Sequence, residues 1–286
     1  MGKTGIIGGS GLYQIEGLQG VTEVSVDTPF GKPSDAFTLG ILEGKDVVFL
    51  PRHGRGHRIP PTDVNYRANI FAMKTLGVAR IVSVTACGSL REDFKPLDFV
   101  LPDQFVDRTN QARKMTFFEK DIVAHISFAD PVCGALRSSL RAAIETLGIR
   151  VHFGGTYITM EGPAFSTRAE SNLYRSWGMD LIGMTNMSEA KLAREAEICY
   201  ATLAAVTDYD CWYESEAEVT VEMVVRNLQK NVENSKKIIR QVVKDLPDDW
   251  HCGCSDALAH AIITDPTRIP PAVKKNLAPI IGKYIH

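Results

Sequence analysis

Residues 180–210 read DLIGMTNMSEAKLAREAEICYATLAAVTDYD, and this stretch decides the fold. Asp180–Ile182 is a short apolar strand. Met184-Thr185-Asn186 follows it and opens a helix carrying Glu189, Lys191 and Arg194. Ile198–Val206 is then an unbroken apolar run of strand length. Strand, helix and strand in succession form the unit of an α/β protein with a mixed or mostly parallel sheet. In such sheets ligands collect at strand ends. The last strand runs straight into Thr207-Asp208-Tyr209-Asp210. If that segment is extended, Asp208 and Asp210 point to one side. Two carboxylates brought together at a buried strand end raise each other's pKa. Such a pair suits a general acid or the binding of an amino group; helix capping or a turn is the plain structural use of the same residues.

Working outward, Thr4–Ile7, Val47–Leu50, Arg80–Val84, Phe99–Leu101 and Thr156–Thr159 also read as buried strands. A helix is expected after Asp130, with Val132, Leu136, Leu140, Ile144 and Leu147 on one face, Asp130 as N-cap and Gly148 at its end. A second amphipathic pattern runs from Val221 through Val224, Val225, Leu228 and Val232 to Val243, with Ser215 and Glu218 resembling a capping box. No repeat, low-complexity tract or linker divides the chain. The expectation is one domain over residues 1–286, a central mixed β-sheet flanked by helices, mainly helical from about residue 215.

The 286 residues are 44% apolar and 23% charged, which excludes disordered and fibrous classes. The 32 basic and 34 acidic residues leave a net charge of −2 and no basic stripe for nucleic acid. An anionic ligand must then be held by a few placed groups. No apolar run approaches the roughly 20 residues that span a bilayer. The opening MGKTGIIGGSG lacks a signal peptide's apolar core, so a cytoplasmic, reducing setting is expected. Cys87, Cys133, Cys199 and Cys211 then read as scattered reduced thiols. Cys252-x-Cys254 has three readings: a disulfide, a zinc fragment with His251 and His260, or reduced thiols, the last preferred.

Further segments fit chemistry at strand ends. Gly8-Gly9-Ser10-Gly11 lets backbone N–H groups approach an anion, though Gln14 breaks the dinucleotide fingerprint. Pro51 to Arg58 sets three arginines and two histidines among glycines, a local anion site if it is not merely a solvated loop. His53 and His57 stand four apart, a spacing that suits zinc only on a helix. Thr85-Ala86-Cys87-Gly88-Ser89 offers hydroxyls and close backbone approach; no base partner marks Cys87 as a nucleophile. Phe165 sits at the Gly162-Pro163 turn, where a flat ring could stack on it or the core absorb it, before a helix starting near Ser166 or Thr167. Thr185 either caps its helix or donates to an anion.

Together these segments resemble the purine nucleoside phosphorylase family, in the branch that acts on S-methyl-5′-thioadenosine. GIIGGSGL (5–12), DTPFGKPSD (27–35), RHGRGH (52–57), NYRANI (65–70), TACGSLRE (85–92), DQFVDRT (103–109), EGPAFSTRAES (161–171) and TDYDCW (207–212) occur in the family's order. The resemblance implies a nucleoside phosphorylase-like fold and attack of phosphate on the anomeric carbon, with adenine leaving. It implies phosphate binding by Ser10, Arg52, His53, Thr85, Ala86 (through its backbone) and Thr185. Met184 would lie against the ribose, Phe165 against the purine. Asp208 would assist the base at N7, Asp210 would hold the exocyclic amine, and Ser166 would orient this group. Val221, Val224 and Val225 match the wall that receives a methylthio group. His125 matches a residue supplied by a neighbouring subunit, implying a homotrimer or a dimer of trimers. No metal or organic cofactor is implied, phosphate being a co-substrate. Carboxylate acceptors suit adenine's amino group, and the branch specific for 6-oxopurines carries Asn where Asp208 stands. The alternative is a methylthioinosine or general purine nucleoside phosphorylase.

Overall fold

The computed structural model describes residues 2–9, 11–12, 14–110, 112–213 and 221–285, with 221–225 described for backbone only. Its strands are β1 (Lys3–Gly8), β2 (Gln19–Val24), β3 (Phe37–Leu42), β4 (Lys45–Pro51), β5 (Val78–Ser89), β6 (Phe99–Leu101), β7 (Gln104–Arg108), β8 (Val151–Phe153), β9 (Thr156–Met160), β10 (Leu181–Gly183) and β11 (Cys199–Asp208). The helices are α1 (Tyr66–Thr75), α2 (Gly134–Thr146), α3 (Arg168–Ser176), α4 (Asn186–Glu195), α5 (Val221–Asp245) and α6 (Pro271–Ile281). The strands form one mixed sheet in the order β2-β3-β4-β1-β5-β10-β9-β7, with β11 beside β5 and β6, and β8 beside β6. The expected α/β architecture with a central mixed sheet is the one observed. No described helix is long and apolar enough to cross a membrane.

The centre is β1, β4, β5 and β11, which pair in parallel. All of β11 but its last residue is buried, which explains its continuous apolar run: both of its faces meet helices. One core joins the sheet to α1, α4 and α6 through Ile70, Met73, Leu192 and Ile280. The other joins it to α2 and α5 through Leu136, Leu140, Ile239 and Val243. Burying each such side chain contributes on the order of 1.5–3 kcal/mol. The parallel strands end on one edge. There β5 departs from β1 after Ser83 and reaches β10 only at Gly88, leaving Val84–Cys87 free of both.

Several expectations are corrected. The helix after Asp130 begins only at Gly134, with Cys133 as N-cap and without a side-chain cap. Val132 and Cys133 are drawn into the core, and the Cys133 N–H donates to the Tyr200 carbonyl at 2.8 Å, which keeps that residue extended. Strand β11 continues to Asp208, because Asp208 still pairs with Gly88. Strands β2, β3, β7 and β8 escape the sequence reading: β2 is exposed throughout most of its length, Gly40 interrupts β3, β7 is half polar, and β8 has three residues. The proposed capping box at Ser215 and Glu218 lies outside the described residues. From α5 onward the described chain holds helices and short 3-10 turns and no strand.

Candidate active site

A cavity of about 850 Å³ opens on the edge where the parallel strands end. Gly9 and Leu12 reach it from β1, Arg52 and His53 from β4, Thr85 to Gly88 from β5, Met160 from β9, Gly183 to Thr185 from β10, and Thr207 and Asp208 from β11. Asp210, Phe165 and, on α5, Leu228, Asn231, Val232 and Ser235 complete it. The strand register gives the scale. Thr85 pairs with Ala204 and Gly88 with Asp208, so the hydroxyl group and the carboxylate stand about three strand residues, ~10 Å, apart.

Arg52 is buried, and Glu189 of α4 accepts from its Nε and, at 3.1 Å, from its Nη2. Ser83 Oγ accepts from Nη2 at 2.7 Å and the Val84 carbonyl from Nη1 at 3.1 Å. A guanidinium has five N–H groups; one on Nη1 is left without a protein partner among the described residues. Ser83 and Tyr200 hydroxyls both donate to Glu189 Oε2, at 2.7 and 3.0 Å, and Asn186 joins Tyr200 to Thr202. The ion pair holds Arg52 charged and fixed in place while cancelling most of its field. Of the loop's other arginines, Arg58 lines the cavity, whereas Arg55 turns outward to Glu23.

His53 Nδ1 faces the Ile59 carbonyl at 2.8 Å, which requires the proton on Nδ1. Burial and then the Arg52 charge lower its pKa to about 4, so the ring is neutral near pH 7. Thr185 precedes α4 but caps it with no side-chain hydrogen bond. Its Oγ1 is buried, lines the cavity and has no hydrogen-bond partner among the described residues. Of the two sequence readings of Thr185, helix capping is not the one observed.

The aspartates meet by a route different from strand alternation. The chain leaves β11 at Asp208, and Asp210 takes φ +53° to open a 3-10 turn over Asp210–Trp212. The Asp210 N–H then donates to Asp208 Oδ1 at 2.8 Å, while the Thr207 hydroxyl donates to Oδ2 at 2.7 Å. Burial pushes the Asp208 pKa up against these two bonds. Burial, and secondarily the Asp208 charge, push up Asp210. The mutual repulsion inferred from sequence is the lesser cause. Gly88 matters here for close approach: a Cβ would stand 3.1 Å from Asp208 Oδ1 and 3.0 Å from Ile182. Cys87 lines the same cavity, where burial and then Asp208 push its thiol well up, which disfavours the thiolate.

Two carriers of the site escaped the sequence. Arg113, wholly buried, donates to the Met184 carbonyl at 2.5 Å and the Glu161 carbonyl at 2.6 Å, and pairs with the Glu161 carboxylate at 2.9 Å. It locks the two loops that present Met184 and Phe165. No local pattern marks it. On α5, Asn227 and Asn231 donate to the Thr207 and Val206 carbonyls, both at 2.9 Å, in place of a further strand. Asn227, Asn231 and Ser235 form an i, i+4, i+8 polar stripe on an apolar face, a signal the sequence did carry.

Arg52, His53, Thr85, Ala86, Phe165, Met184, Thr185, Asp208 and Asp210 are therefore gathered in one cavity. Ser166 stands just off the lining, its hydroxyl facing the Met160 sulfur at 3.5 Å. His125 is exposed, away from the lining, where its N–H donates to the Ala261 carbonyl at 2.8 Å. Ser10 and the Val221, Val224 and Val225 side chains lie outside the described residues.

A parallel sheet core with a buried arginine, cavity-facing hydroxyls and buried carboxylates at one edge is an arrangement that suits a nucleoside phosphorylase. The chain belongs to the phosphorylase superfamily, which matches residues 3–244. It is 59% identical over 281 residues to the S-methyl-5′-thioadenosine phosphorylase of Geobacter sulfurreducens, covering 98% of each chain. To that of Koribacter versatilis it is 58% identical, covering 99% of this chain and 96% of the relative. Among solved structures, a methylthioadenosine phosphorylase from an antarctic soil metagenomic library superposes with a TM-score of 0.92 at 48% identity, covering 98% of each chain. The methylthioadenosine phosphorylase of Schistosoma mansoni in complex with adenine superposes with a TM-score of 0.81 at 37% identity, covering 98% of each chain.

Proposed function

We propose that this chain catalyses the reversible phosphorolysis of S-methyl-5′-thioadenosine to adenine and 5-methylthioribose 1-phosphate. One observation carries the reading: a single cavity joins the Arg52–Thr85–Thr185 group to the burial-raised pair Asp208 and Asp210. The names of the close relatives support it.

Phosphate is held by the free Nη1 hydrogen of Arg52, the hydroxyls of Ser10, Thr85 and Thr185, and the Ala86 backbone. Since Glu189 already balances Arg52, the dianion keeps most of its charge beneath the sugar. That charge stabilises the oxocarbenium-like transition state, and positioning supplies much of the rate. His53, neutral, accepts a hydrogen bond at Nε2 from the hydroxyl that the phosphate dianion keeps. Phe165 is 77% exposed at the cavity edge, and a purine stacked on it covers that ring. Asp208, protonated more readily than an ordinary aspartate, delivers a proton toward N7 as the base leaves. Asp210 accepts from the exocyclic amine. Leu228 and Val232 line the cavity and offer an apolar wall to the 5′ substituent; the family resemblance assigns Val221 and Val225 to the same wall. His125 enters a neighbouring subunit's site in a trimer or dimer of trimers, where it bonds a 5′-hydroxyl, making adenosine a secondary substrate.

The test is base release from methylthioadenosine with and without phosphate, beside adenosine and methylthioinosine. Phosphate-dependent adenine release, fastest with methylthioadenosine, is expected. Preference for methylthioinosine would reassign the roles of Asp208 and Asp210.

A further inference from the structure

Cys133 and Cys199, read from sequence as scattered thiols, meet the Cys252-x-Cys254 pair in space. Their four sulfurs all lie within 4.8 Å of one another. They come from three segments: the N-cap of α2, the first residue of β11, and the stretch after α5. With Zn–S bonds of about 2.3 Å, a tetrahedral zinc site has sulfur–sulfur edges of ~3.8 Å. Cys199 and Cys252 Sγ stand 3.0 Å apart, so small rotations of the side chains convert the cluster to that tetrahedron.

We infer that these four cysteines hold one structural zinc ion. Four soft sulfur donors in a tetrahedral arrangement select zinc over the hard divalent cations. The surroundings fit the charge. Zinc with four thiolates carries a net −2, which needs donors and a cation around it. Trp250 Nε1–H points to both Cys199 and Cys252 Sγ at 3.3 Å. Arg80 pairs with Cys199 across the β5–β11 ladder, is 3% exposed, and places its guanidinium 5.1 Å from the Trp250 ring. Its Nε has no hydrogen-bond partner among the described residues.

Four protein ligands close the coordination shell, which excludes substrate from the metal. The site also lies at the far end of β11 from Asp208, nine strand steps or ~30 Å away. Its role is to fasten the segment after α5 onto α2 and β11.

The full untagged chain is produced in zinc-supplemented medium and purified under reducing conditions. Elemental analysis is expected to find one zinc per chain, and all six cysteines titrate as thiols once the chain is denatured with chelator. Cobalt exchanged into the same protein gives the intense visible bands of a tetrahedral tetrathiolate. Trp250→Phe, which keeps the ring, weakens zinc binding by about tenfold. Cys254→Ser weakens it further, and Cys211→Ser leaves it unchanged. Folded wild-type chain free of metal after zinc supply overturns the inference, whether its six cysteines titrate as thiols or four are lost to two disulfides. Because the wild-type protein supplies this readout, a variant that fails to fold leaves the test intact.

Discussion

At the scale of the residue, Asp208 is where the proposed reading of the base is tested. Its carboxylate has no hydrogen of its own when ionised, and its two protein donors come from Thr207 and Asp210. Asp208→Asn keeps the shape, removes the acid proposed for N7 and puts an amide donor in its place. Its kcat/KM for methylthioadenosine should fall about 10²- to 10⁴-fold, while the ratio of methylthioinosine to methylthioadenosine turnover rises. An unchanged ratio in steady-state assays would show that Asp208 does not read the base. The pH profile follows the same group. Because burial raises its pKa, the acid form persists above the ordinary aspartate range and is lost as pH rises through the raised value. Wild-type kcat/KM should decline on that alkaline side, and the Asn variant should lack the decline. Asp208 was legible because it ends an apolar run. Its pairing with Asp210 was legible too, but the route was not, because that depends on a left-handed backbone at a residue other than glycine. Arg113 was legible in no local pattern at all: its partners Glu161 and Met184 are 48 and 71 residues away.

At the scale of the element, α4 shows why periodicity locates a helix without disclosing its burial. The sequence marks a helix with Glu189, Lys191 and Arg194, yet Glu189 and Glu195 are both buried. Their partners lie on other strands and loops. Glu189→Ala leaves Arg52 buried without its counter-charge and should cost about 3–5 kcal/mol in urea unfolding at fixed protein concentration. Glu189→Gln, which keeps hydrogen-bonding atoms, should cost less; equal losses would mean that packing outweighs charge there. Glu195 accepts from the Phe117 N–H at 2.7 Å and the Thr116 hydroxyl at 2.8 Å, yet burial raises its pKa from 4.5 to about 7. A raised carboxyl pKa means that the folded state favours the protonated form. The resulting stability is complete below pH 4.5 and is lost as pH rises through about 7. The loss approaches about 3 kcal/mol at most, at 1.36 kcal/mol per pKa unit. Glu195→Gln should remove this slope, so the difference between variant and wild-type unfolding free energies grows in the variant's favour from pH 5 to 8. A difference independent of pH would place the Glu195 pKa near its ordinary value.

At the scale of the whole molecule, the order of motifs disclosed the fold, because each strand end that carries chemistry is anchored by an apolar run. The surface around His125 bears on the subunit boundary. His125 lies on an exposed stretch flanked by Val123 and Ile263, themselves 44% and 63% exposed, and the Ile263 N–H donates to the Val123 carbonyl at 3.0 Å. An apolar rim around an outward histidine suits a face covered by another copy. If His125 completes a neighbour's site in a closed ring, the interface is heterologous, and each site draws on two chains. Complementation reads this directly. Chains carrying Asp208→Asn supply an intact His125, and chains carrying His125→Ala supply an intact Asp208. Co-expressed in equal amounts and assembled at random, they should form about one quarter of sites with both groups intact. Adenosine, whose 5′-hydroxyl needs His125, should then be cleaved faster than by the two parent proteins assayed separately and summed. Methylthioadenosine offers no hydroxyl to His125, so its turnover should instead track the share of chains with Asp208. Adenosine turnover equal to the parental sum, in complexes shown by mass spectrometry to be mixed, would place His125 outside every site.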